Sequence, residues 1–319
     1  MFEAAFLWMN EYFLYFSAAC AGFSGSLLWT GQFDYLAQNS QPHTLDRNSS
    51  NLWGLSQTSL IFGGAYLLIL YRFQTGNEFE MPLIRLVVGS FFICTLVSIA
   101  IGLFLPQPAF KVEKYKIAYF KHLSEIVKIS FDRNLMLLFF MFLYTGLELS
   151  FFSAVFPTMV SFTKSLGNTR DLNAISSIFV GIGNVSGCFA LSVLGSRVRE
   201  FGRKKMVFPY IILVCGFLLG VGDTIFNQQC YTILSDIYDH DKRIEAFAVY
   251  RFYQSAASCV AMFYSAHALL RTHVIILSMF CVIATATFFG VRVPEKYLVN
   301  PSAEMLEVKE CEQQEKLMI

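Results

Sequence analysis

Three ionisable side chains, Glu148, Asp223 and Arg251, interrupt long apolar runs of the sequence. At the centre of a membrane-spanning helix each would cost about 2.5 to 3.5 kcal/mol on insertion scales, so a compensating role is expected of each. For Glu148 and Asp223 two roles stand side by side. A protonatable pair facing across a cavity would suit proton or cation coupling, whereas a protonated or hydrogen-bonded carboxyl would serve packing alone. Arg251 would either pair with Asp223 or, about five residues into its run, snorkel to the interface. The amides Gln32, Gln57, Gln229, Gln254 and Asn227 lie in the same kind of run. They would hydrogen-bond a small solute or tie helices together, the latter worth about 0.6 to 2 kcal/mol each. No nucleophile beside a base, no phosphate-cradling loop and no metal-ligand spacing accompanies them, which argues against an enzyme, a cofactor or a metal.

The elements that must position these residues follow from hydropathy. Hydrophobic residues make up 55% of the chain and charged residues 15%, against roughly 25% charged in a soluble domain. The charges gather in short clusters between apolar runs, and a net charge of +1 gives no reason to expect nucleic acid. A spanning helix needs about 20 predominantly apolar residues, because unpaired backbone groups are too costly in hydrocarbon. Eight segments meet this need: Tyr12 to Tyr35, Leu52 to Tyr71, Leu83 to Leu105, Leu135 to Phe162, Leu172 to Leu194, Val207 to Leu234, Ala246 to Leu270 and Val274 to Val291. The expectation is an all-α, polytopic transmembrane helical bundle in the lipid bilayer. The first run lacks the basic flank of a signal peptide, its early charges being Glu3 and Glu11. The eight cysteines are scattered, and those in apolar runs, such as Cys94, Cys188 and Cys281, read as small buried residues.

Orientation follows from lysine and arginine in short loops. Gln107 to Arg133 and Gly195 to Lys205 carry the two largest basic clusters and should both face the cytosol. Within Val112 to Arg133, mixed apolar and basic residues predict an amphipathic helix on that leaflet. A constant offset of 197 residues pairs Gly25 with Gly222, Trp29 with Phe226, Gln32 with Gln229, Trp53 with Tyr250 and Gln57 with Gln254. Parallel repeats of this kind relate the two halves of some transporters. The repeat places Ser235 to Glu245 with Ala37 to Asn48 in the cytosol, but one span after Lys205 the same loop falls outside. The side count is off by one. A span lost between Lys205 and Cys215, with Val207 to Val214 as its remnant, would account for it.

Four segments carry a resemblance to a known family. They are Leu28 to Gln32 with Asn39-Ser40; Arg47 to Ser49 with Trp53; Tyr144 to Leu149 with Phe151-Phe152; and Gly220 to Asp223 with Asn227 and Gln229. They resemble the Unc-93-like family of the major facilitator superfamily. The resemblance implies twelve spans in two six-helix halves, so this chain corresponds to about eight of them, starting at the fourth and lacking the ninth. On that reading residues 1–105 are the remainder of the first half, 106–133 a cytosolic linker, 134–293 the second half and 294–319 a polar tail. Gly195, Gly202, Arg203 and Lys204 also resemble the superfamily's cytosolic gating motif. Its acidic position falls on Arg199, with Glu200 one residue late, and Phe33-Asp34 replaces the family's usual Gly-Asn.

The resemblance implies a regulatory or accessory multi-pass membrane protein, with a channel or receptor as its membrane partner and potassium-channel regulation or receptor trafficking as its role. An orphan carrier of a small solute or cation, with proton or cation coupling, is the alternative, and a non-functional truncated product is a third reading.

Overall fold

The computed structural model describes residues 2–7, 10–41, 44–72, 81–106, 119–162, 169–201, 217–238, 240–265 and 267–291. All its regular elements are helices. In chain order they are α1 (Phe2–Ala5), α2 (Glu11–Gln38), α3 (Leu45–Arg72), α4 (Met81–Leu103), α5 (Tyr119–Ser130), α6 (Arg133–Ser150), a π-turn (Phe151–Val155), α7 (Phe156–Phe162), α8 (Thr169–Phe201), α9 (Phe217–Ile237), α10 (His240–Ser265) and α11 (Leu270–Phe288). Six described helices are long and apolar enough to cross a membrane. The other two expected spans are α9 and α10, of 21 and 26 residues. They are more polar because they hold Asp223, Asn227, Arg251 and Gln254, and because α10 starts among the charges of His240 to Glu245. The sixth expected span has its described part in α9, and Val207 to Val214 lie outside the described residues.

Local chemistry sets several boundaries. Asn10 caps α2 by accepting from the Phe13 amide at 3.1 Å, and Asp132 caps α6 by accepting from the Asn134 amide at 2.9 Å. Asp132 also accepts the Tyr238 hydroxyl at 2.6 Å, tying the start of α6 to the end of α9. Beyond α6 the helix widens into the π-turn, closed by the Phe156 amide on the Phe151 carbonyl. Pro157 explains it. Proline has no amide for the carbonyl four residues back and clashes with it, and a wider turn relieves both problems. The expected seventh and eighth spans are corrected by a few residues: the break falls at 266–269, so Arg271 and His273 are inside the first turn of α11.

The core is built around α6. Leu135, Leu138, Met141 and Phe142 face α10 and α11, where Phe247, Tyr250, Ala284 and Phe288 are buried against them. On the other side α3 and α8 approach closely enough that a Cβ on Gly54 would stand 2.9 Å from the Cys188 Cβ, one on Gly64 2.8 Å from the Ala174 carbonyl oxygen, and one on Gly181 2.7 Å from Ile61. Small residues let helix backbones approach in lipid, where dispersion and polar contacts drive association. By contrast α4 has no buried residue. Cys94 is exposed on it, which corrects its reading as a buried residue; Cys188 and Cys281 are buried, and all six described cysteines are free thiols. The expected linker helix is present as α5, with Ile129 buried and Leu123 and Val127 exposed.

The contacts also fix the direction of each helix. The Tyr35 hydroxyl donates to the Pro106 carbonyl, Ser192 bonds Asn51, and Tyr238 bonds Asp132. The ends of α2, α4, α8 and α9 therefore gather at the linker end of the bundle, together with the starts of α3, α6 and α10. Asn184 of α8 lies beside Thr224 of α9, while Ser192 and Gln228 further along both reach the start of α3, at Asn51 and Ser49. The described helices α8 and α9 thus run parallel. The break between α9 and α10 matches that between α2 and α3 once the 197-residue offset is applied, so the repeat seen in sequence is a repeat of hairpins.

Candidate functional site

The polar residues expected in the spans converge where α6, α9 and α10 meet α2. Asn227 is the hub. Its amide nitrogen donates to Asp223 Oδ1 at 2.8 Å, and its oxygen accepts from the Tyr250 hydroxyl at 2.7 Å and from Gln254 Nε2 at 3.1 Å. Gln254 also donates to the Tyr250 oxygen at 3.2 Å. Glu148 of α6 stands against α9, its Oε1 3.3 Å from where a Gly222 Cβ would be. Glu148 and Asp223 are 1% and 2% exposed and lie within electrostatic reach of one another. Both are thus buried in the core of the bundle. Gly222 is the physical reason, since its missing side chain lets α9 come up to the carboxyl.

Arg251 differs from the expected snorkelling residue. Because α10 begins at His240, it stands about 16 Å into the helix at about 1.5 Å per residue. Its Nη1 donates to Gln254 Oε1 at 2.5 Å and its Nη2 to the Tyr231 hydroxyl. Its guanidinium lies 4.8 Å from the Trp29 ring centre, 5.3 Å from those of Tyr231 and Tyr250, and 5.9 Å from that of Phe33. Ring faces attract a cation, the more so away from water. The site thus joins both hairpins, with Phe33 stacked on Tyr231 at 3.5 Å between ring centres.

A second polar string binds α3, α8 and α9. Asn184 donates to Gln57 Oε1 at 3.4 Å and accepts from the Thr224 hydroxyl at 2.7 Å. Gln229 is buried with its side-chain oxygen unpartnered, and Gln32 is half-buried on α2, so neither joins the hub. Gly195 and Glu200 fall in the last turns of α8, whereas Gly202, Arg203 and Lys204 lie outside the described residues. Sequence reasoning missed Asn184, Tyr231 and Phe33. Asn184 carried a signal, as a lone amide inside an apolar run; the two aromatics gain their role only by meeting Arg251. Among the described residues no three His, Cys, Asp or Glu side chains are placed to hold a metal ion.

A family model described as "Ion channel regulatory protein UNC-93" matches residues 1–211 and 207–289. The chain belongs to the UNC-93-like family of the major facilitator superfamily. It is 29% identical to UNC93-like protein MFSD11 of Xenopus laevis over 350 aligned residues, covering 90% of this chain and 77% of that relative. The same protein of Xenopus tropicalis is also 29% identical over 352 residues, with 90% and 77% covered. UNC93-like protein 3 of Arabidopsis thaliana is 22% identical over 299 residues, covering 80% of this chain and 63% of the relative. No solved structure matches. This UNC-93-like chain is an integral, multi-pass membrane protein. Its two family matches meet at 207–211, where the side count of the sequence breaks and where parallel α8 and α9 must be joined. The alignment to the Xenopus laevis relative is also longer than this chain, so that relative carries internal residues absent here.

Proposed function

We propose that this chain is a regulatory or accessory membrane subunit that acts by holding an ion channel or receptor partner in the bilayer, and that it is not an enzyme. The observation that carries this reading is the closure of the polar hub. Asp223, Asn227, Tyr250 and Gln254 direct hydrogen bonds at one another, and Glu148 is sealed against α9. Groups used this way stabilise a fixed bundle, whereas a carrier must present them alternately to its two sides. The description of the matching family, an ion channel regulatory protein, agrees with it. The unburied face of α4 supplies a surface that a partner's helices can cover.

The test is co-expression with a panel of potassium channels, reading current and surface density together. Changed current or surface density for at least one channel, with co-purification from mild detergent, is the expected result. The solute-carrier reading takes its support from the two carboxyls at similar depth. It would be favoured if no channel responds and the purified chain takes up a solute saturably.

A further inference from the structure

Beside the closed hub an open groove of about 340 Å³ runs between α2, α6 and α10. That volume falls within the range of small-molecule sites. Arg251, Gln254, Ser258 and Met262 line it along one face of α10, a length of about 16 Å at 1.5 Å per residue. Trp29 and Gly25 of α2 line the other wall, with Trp29 at the Arg251 end. The groove is therefore polarised. Among the described residues one end holds the only charged side chain of the lining, Arg251, and the rest is lined by uncharged residues such as Ser258, Cys259 and Met262.

Arg251 is held ready for an anion. Its guanidinium has five N–H donors, of which Gln254 and Tyr231 engage one on each terminal nitrogen. The surrounding rings fix the plane of the fork, and on the hub side Asp223, the partner expected from the sequence, lies within electrostatic reach of it. A second observation comes from the repeat. Gly222, the equivalent of Gly25, carries the Glu148 carboxyl 3.3 Å from its Cβ position, whereas nothing lies within 4 Å of a Cβ on Gly25. One hairpin seats a carboxylate of the protein where the other leaves open groove.

We propose that this groove binds a carboxylate bearing an aliphatic chain, with the carboxylate on Arg251 and the chain extended along α2 toward Met262. A single planar guanidinium matches a carboxylate by paired N–H donors. A dianionic phosphate would call for a second cation, and the lining holds none. The site does not depend on the regulatory reading, because it is measured with no partner present.

The experiment uses the full chain carrying Trp8→Phe and Trp53→Phe, in nanodiscs of neutral phospholipid, so that Trp29 is the remaining tryptophan. Titration with a nitroxide-labelled stearate should quench it saturably. Arg251→Gln and Gly25→Leu should each weaken the apparent affinity at least about tenfold, a loss expected when one charged pair or its space is removed. Gly25→Leu places its Cβ where nothing lies within 4 Å, so it decides the matter even if Arg251→Gln misfolds. Competition by unlabelled stearate alone assigns the site to a membrane-borne acid, and competition by butyrate at equal concentration assigns it to a soluble carboxylate. Equal quenching by the methyl ester, or undiminished affinity in Gly25→Leu, overturns the proposal.

Discussion

At the scale of single residues, Asn227 decides how much the hub contributes. Its side chain bonds Asp223, Tyr250 and Gln254 at once, so removing its amide takes away three buried side-chain hydrogen bonds together. An unsatisfied buried group costs about 1 to 3 kcal/mol, although hydrogen bonds inside membranes average nearer 0.6. Asn227→Leu should therefore lower the unfolding midpoint in detergent clearly, by about 1 to 3 kcal/mol, and Tyr250→Phe by less, since its hydroxyl makes two of the hub's bonds and Asn227 three. Equal midpoints for Asn227→Leu and the unaltered chain would mean that the hub is not structural. Tyr238 makes a comparable tie outside the spans. Burial first, and then the bond it donates to Asp132, hold its phenol above the ordinary tyrosine range. It stays a donor at neutral pH, so the bond persists across physiological conditions. Tyr238→Phe should destabilise by about 0.5 to 1.5 kcal/mol. Asp132→Ala, which also removes the α6 cap, should cost more, and heat-induced aggregation of the two variants compares them directly.

At the scale of elements, the tightest contact is that of α3 with α8, where glycines take the place of interdigitated large side chains. A leucine at Gly181 would meet Ile61 and Leu60 of α3, at 2.7 and 3.1 Å already for its Cβ. Gly181→Leu should therefore force the two helices apart and reduce the monodisperse fraction on gel filtration. Gly63→Leu, at a glycine of the facing helix α3 with nothing within 4 Å of its Cβ position, should leave it unchanged and serves as the control. The existence of these helices was legible in the sequence, because runs of about 20 apolar residues have few alternative fates. Their ends were less so. His240 to Glu245 look like a loop by charge, but helix geometry continues through them because Arg243 and Glu245 find buried positions beside α9. The π-turn after Glu148 left only Pro157 as its trace. The aromatic surround of Arg251 was not legible at all, because Trp29 and Phe33 are more than two hundred positions away and nothing local ties them to it.

At the scale of the whole molecule, the decisive feature is that α8 and α9 run parallel. The repeat and the basic loops gave opposite sides for residues 235–245, and the bond from Tyr238 to Asp132 favours the repeat. A cysteine placed at Lys242 should accordingly be labelled from the same side as one placed at Lys128 of the linker helix. Labelling from opposite sides of the membrane would contradict this arrangement. The same feature bears on transport. Parallel neighbours in one bilayer need a crossing between them. Alternating access further requires two bundles that rock about a central site. Here the hairpins that would belong to opposite bundles are joined across their interface. Arg251 sits among Trp29 and Phe33, Phe33 stacks on Tyr231, and Gln228 donates to the Ser49 carbonyl at 3.3 Å. Rocking would break these contacts and expose Glu148 and Asp223, whose burial is nearly complete. The chain by itself should therefore carry out no alternating-access transport. Purified chain in liposomes, checked for a single species and screened with cation gradients and candidate solutes, should give no saturable uptake. Saturable uptake that disappears in Glu148→Gln would show that the hub opens, and would replace the regulatory reading with that of a carrier.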